Sequence, residues 1–69
     1  MGTDKSFKQK LSFAPAELLG VLGPAETNRP FLEKRWGVDI YTHGGDITFS
    51  HPAPETVEHA ARQFRYLVQ

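Results

Sequence analysis

Between Leu18 and Val68 the chain changes its apolar period repeatedly with no long spacer, and nearly every change is marked by Gly or Pro. Leu18, Leu19, Val21 and Leu22 are spaced for a short helix that Gly23-Pro24 stops. Phe31, Leu32 and Trp36 give a second helix its apolar side, and Gly37 ends it. Val38 and Ile40, then Ile47 and Phe49, alternate as strands with one buried face, joined by a Gly44-Gly45 hairpin. Val57, Ala60, Ala61, Phe64, Leu67 and Val68 form the stripe of a last helix. Ahead of these, Phe7, Leu11 and Phe13 alternate with Ser6, Lys8, Lys10 and Ser12, a strand with a basic outer face. The order β-α-α-β-β-α predicts an α+β fold, a three-stranded antiparallel sheet covered on one face by three helices.

Local chemistry sets the boundaries. Pro15 suits a first helical turn, where an N–H has no intrahelical partner. Gly23 is expected to take the left-handed geometry that closes a helix, and Pro24 to bias it away from helical angles. Thr27 or Asn28 is expected to cap the second helix through a side-chain oxygen. Gly44-Gly45 is expected to supply positive φ at the hairpin. Asp39, Tyr41, Thr48 and Ser50 should look outward, and Pro52-Ala53-Pro54-Glu55 should break the last strand and open the final helix.

A chain of 69 residues is one domain and buries only about 60% of its unfolded surface, which leaves little shelter for catalytic machinery. It has no cysteine, so neither a disulfide nor a thiolate metal site contributes, in keeping with a cytoplasmic protein. No run approaches the roughly 18 apolar residues of a membrane span, and Met1 to Lys10 is too polar for a secretory signal. Residues 1–5 are expected to be a disordered or cloning-derived tail. Residues 6–69 form the domain, expected to be a piece of a longer chain because the last helix runs to Gln69 without a stop signal.

Chemistry-bearing groupings are sparse. No Gly-x-x-x-x-Gly-Lys-Ser/Thr loop exists to cradle a nucleotide. His43 and His51 bracket a strand and His59 sits off the buried stripe, so no metal site is expected. Glu55 with Glu58, and Glu33 with Asp39, read as solvated faces, and Glu58 stands four before Arg62 for an ion pair. The literal Gly-x-x-Gly from Gly20 to Gly23 encloses Val21 and Leu22 and reads as core. No enzyme activity and no cofactor are expected of this chain. Trp36 reads as core, while Tyr41 is placed to stack on a base. The cations fall into three groups: Lys5, Lys8 and Lys10; Arg29, Lys34 and Arg35; Arg62 and Arg65. Eight basic residues balance eight acidic ones, so affinity for phosphate would rest on local clustering or on backbone N–H groups.

The stretch Gly23 to Ile40 resembles a type I KH domain, in which a Gly-x-x-Gly loop opens the second helix and a further Gly precedes the next strand. Gly23 and Gly37 keep that spacing. Leu22-Gly23-Pro24, Glu26, Asn28, Leu32-Glu33-Lys34-Arg35-Trp36-Gly37-Val38 and the later Val57-Glu58 resemble more closely the N-terminal KH-like domain of PhoH-like proteins, which precedes a P-loop ATPase domain. That resemblance implies a weakly binding accessory domain for single-stranded RNA or DNA, with Gly23, Pro24, Ala25, Glu26, Asn28, Arg29, Arg35 and Tyr41 at the nucleic-acid site. It implies ATP and Mg only for the attached ATPase domain, which is also the expected partner. Glu26 departs from the pattern, standing where the loop's second Gly would be. The alternative is a protein-interaction or homo-oligomerisation module that keeps the KH shape with a degenerate phosphate loop. No membrane partner is implied.

Overall fold

The structure is a computed structural model that describes residues 6–68; the tail at 1–5, Lys5 of the basic strand and Gln69 lie outside the described residues. The elements follow as β1 (Phe7–Ser12), α1 (Pro15–Leu22), a single 3-10 turn (Pro24–Glu26), α2 (Arg29–Trp36), β2 (Asp39–His43), β3 (Asp46–His51) and α3 (Pro54–Val68). The sheet is antiparallel with β3 in the centre, in the order β1-β3-β2. Leu11 lies opposite Ile47 and Thr42, Gln9 opposite Phe49 and Ile40, and these rows face the helices. The alternate rows, Lys10-Thr48-Tyr41 and Lys8-Ser50-Asp39, form the face without helices. Among the described residues no helix is long and apolar enough to cross a membrane.

The core is a single cluster in which Ile47, Phe49, Ala60 and Phe64 are fully enclosed. Phe64 of α3 is its hub, with ring centres 5.5 Å from Phe13 and 5.6 Å from Phe49, while Trp36 stands edge-on to Phe49 and Phe64 at 6.3 and 6.5 Å. Such tilted and edge-on pairs add about 0.5–1.5 kcal/mol each beyond the area they bury. Trp36 is therefore spent on the core, as its spacing predicts, and is half-buried there.

Several expectations are corrected. Neither Thr27 nor Asn28 caps α2 through its side chain: Asn28 sits at helical angles (φ −85°, ψ −9°) instead of the extended ones typical of a cap, and Pro30 at the second helical position has no N–H to offer. Both side chains point back instead, Thr27 Oγ1 donating to the Pro24 carbonyl (3.0 Å) and Asn28 Nδ2 to the Val21 carbonyl (3.1 Å). Phe31 is 63% exposed, because α2 turns only Leu32 and part of Trp36 inward. Phe7 is exposed as well: on an edge strand its one cross-strand neighbour is His51. In α3 the buried line runs through Val57, Ala61, Phe64 and half-buried Val68, leaving Leu67 exposed at its margin. Ser50 is buried on the outer face, a small side chain between Lys8 and Asp39.

At the hairpin only Gly44 has positive φ (61°). Gly45 is needed for a different reason: a Cβ there would come within 2.3 Å of the Phe13 carbonyl oxygen. The Phe13 N–H donates to the Gly45 carbonyl at 2.8 Å, so the chain leaving β1 is tied to the hairpin just before α1 begins.

Candidate functional site

A shallow open groove of about 260 Å³ runs between α1 and the β2–β3 hairpin. From α1 it takes Pro15, Leu18, Leu19 and Leu22; from the corner, Gly23, Ala25 and Glu26; from the hairpin side, Thr42 and Gly44. Its wall is apolar because α1 has more apolar residues than the core can use. Leu18 and Leu22 are buried, while Leu19 remains 57% exposed.

The corner after α1 lies at the surface, with Pro24 and Ala25 exposed. Gly23 has φ 82° but ψ 171°, outside the left-handed helical geometry expected of it, and it is Ala25 and Glu26 that hold left-handed φ angles, 56° and 55°. Such a conformation costs a residue with a Cβ roughly 1–2 kcal/mol, so the surroundings must hold it. Four amides are consumed in doing so: Gly23 to the Leu19 carbonyl, Glu26 to Gly23, Thr27 to Pro24 and Asn28 to Leu22. Pro24 has no N–H to offer.

Glu26 is the hinge of a side-chain network. One carboxylate oxygen accepts from Arg29 Nε (3.1 Å), and the other accepts a short hydrogen bond from the Thr42 hydroxyl. Arg29 Nη1 also donates to Glu33 Oε2 (3.3 Å) and to the Ile40 carbonyl (3.4 Å), and the Ile40 N–H donates to the same Glu33 oxygen at 2.9 Å. Corner, helix and edge strand are thereby locked together by two carboxylates and one guanidinium. All three are partly buried, with side-chain exposures of 37% for Arg29, 41% for Glu26 and 26% for Glu33.

The expected site residues therefore do not all meet. Gly23, Ala25 and Glu26 line the groove, and Pro24 and Asn28 belong to the same corner without lining it. Arg29 stands behind Glu26 with its charge committed to two carboxylates. Arg35 is exposed on the last turn of α2. Tyr41 is 57% exposed, but its strand phase sets it opposite Ile40 and Thr42, on the sheet face away from the groove. Sequence reading missed Leu19 and Thr42 as groove residues. The signal for Leu19 was a helix apolar on nearly all sides; that for Thr42 was its period-two relation to Ile40.

The remaining candidate chemistry stays dispersed. His43 and His59 are exposed, and His51 Nδ1 accepts from the Ala53 N–H at 2.9 Å. Among the described residues no group of three His, Cys, Asp or Glu could hold a metal ion. Arg62 and Glu58 pair along α3 at 3.9 Å. No protein-family model matches the chain, and no curated protein matches it either.

Proposed function

We propose that the chain is a KH-like nucleic-acid-binding module, an accessory domain of a PhoH-like ATPase, that takes single-stranded RNA or DNA by its bases in the groove between α1 and the hairpin. The observation that carries this reading is the groove itself: an apolar wall with exposed Leu19, ending in the polar groups of Glu26 and Thr42, suits a flat ring with a hydrogen-bonding edge. The backbone lends support. Glu26 holds a left-handed φ of 55°, an angle that Gly adopts most readily, at the position where the resemblance expects the second Gly of a Gly-x-x-Gly loop.

The grip differs from a phosphate cradle. Four of the corner's amides are used internally and the Arg29 guanidinium is paired with two carboxylates, so backbone charge is met by exposed cations such as Lys34 and Arg35. Apolar contact of the ring with the Leu18 and Leu19 side chains then carries most of the affinity. The test is fluorescence anisotropy of labelled mixed-sequence single-stranded octamers at low salt. Binding is expected, and Leu19→Asp should weaken it about tenfold or more while leaving the thermal melt nearly unchanged, since Leu19 is outside the core. No binding by the unmutated chain at low salt defeats the reading.

The neutralised corner also favours a second reading, in which the same groove receives an apolar side chain of a protein partner or of another copy. Sedimentation over a range of concentrations separates the two. A strict monomer that binds oligonucleotides removes the second; self-association without oligonucleotide affinity removes the first.

A further inference from the structure

Among its side chains, the polar end of the groove offers acceptors and no uncommitted donor. Glu26 is half-exposed, and the two oxygens of its carboxylate offer about four lone-pair sites, of which Arg29 and Thr42 take one each. The Thr42 hydroxyl gives its only proton to Glu26, so it can meet a ligand only as an acceptor. The neighbouring amides of Gly23 and Glu26 are already bonded within the corner, while the Ala25 N–H is not. An edge that meets the Glu26 and Thr42 side chains must therefore donate.

We infer that Glu26, with Thr42, makes the groove selective for bases that carry an amino group, cytosine, adenine and guanine, against uracil and thymine. This rests on the nucleic-acid reading above. A ring packed on Leu18 and Leu19 brings its edge to the carboxylate. The cytosine N4 amino group donates there, as does adenine N6 or guanine N2. Uracil has its single donor, N3–H, between two carbonyl oxygens, and either of them against the carboxylate places acceptor against acceptor. An unmatched pair of acceptors loses its hydration with no return. Glu26 is a specificity-determining residue in this scheme, and Arg29 is a positioning residue that fixes one of its oxygens.

The experiment compares oligo(dC) and oligo(dU) octamers, whose bases differ only at ring positions 3 and 4, on the full chain at neutral pH and low salt. The expected result is tighter binding of oligo(dC) by about tenfold, the size of one good edge contact. Glu26→Gln, which replaces one acceptor with an amide donor, should reduce that ratio to about twofold or less by improving oligo(dU). Thr42→Val, which removes the hydroxyl but keeps the carboxylate, should preserve the direction of the preference. The wild-type comparison needs no variant and so survives any folding defect. Equal binding of the two octamers by the wild-type chain, or an undiminished ratio in Glu26→Gln, overturns the selectivity and leaves the groove reading standing. Failure to bind either octamer overturns both.

Discussion

Arg29 looks like a groove cation in the sequence and is a structural tie in the fold. Its guanidinium is shared among Glu26, Glu33 and the Ile40 carbonyl, which leaves it little to give a phosphate. Glu33 completes the tie by accepting the Ile40 N–H. Glu33→Ala orphans that N–H beside a partly buried guanidinium and should cost about 1–3 kcal/mol, read from urea melts. Glu33→Gln, whose amide oxygen can still accept, should cost about 1 kcal/mol or less. Equal losses in the two variants would show that the Ile40 contact contributes nothing. None of this was visible in the sequence: Glu33 and Arg29 sit four apart as an ordinary helix pair, and only the tertiary fold brings the free edge of β2 under them.

Among the elements, α1 and the hairpin matter most, because the groove is the space between them. Their separation is set at the other end by Gly45, against which the Phe13 carbonyl packs. Gly45→Ala should force the segment ahead of α1 outward and cost about 1–3 kcal/mol, with a lower melting temperature as the readout. An unchanged melt would mean that the close approach relaxes freely. The elements themselves were legible because the apolar period switches are sharp and Gly or Pro stands at the junctions. The 3-10 turn was not legible, since Pro24-Ala25-Glu26 has no apolar period and its left-handed angles fall on residues other than Gly. The cap on α2 was misjudged because Asn28 takes helical angles and turns its amide back to the Val21 carbonyl, a tertiary choice its residue type does not reveal. Phe31 and Leu67 were misassigned because a helix period names a face without saying how far the sheet beneath it reaches.

At the scale of the whole molecule, eight cations balance eight anions, and those nearest the groove are balanced locally too. Binding should therefore respond weakly to salt. If Lys34 and Arg35 meet two phosphates, log K against log salt should fall with a slope of about −1.4, far shallower than for a basic nucleic-acid module. Arg35→Glu should lower affinity uniformly across sequences and flatten that slope by about 0.7. A steep slope, measured by anisotropy titrations at several salt concentrations, would place the contact on a basic surface away from the groove.

The central place of β3 also has a consequence for how the molecule assembles. The strand that leads the chain can find its neighbour only after β3 exists, and Ser12 meets Asp46 across 34 positions of sequence. Closing that span is entropically costly, so the local β2–β3 hairpin is favoured to form first and to offer β1 a prepared seat. During synthesis the N-terminal strand must wait, its edge unpaired, until most of the domain has left the ribosome. Lysines at positions 8 and 10 are suited to that interval, because charge along an exposed edge discourages pairing with the wrong chain.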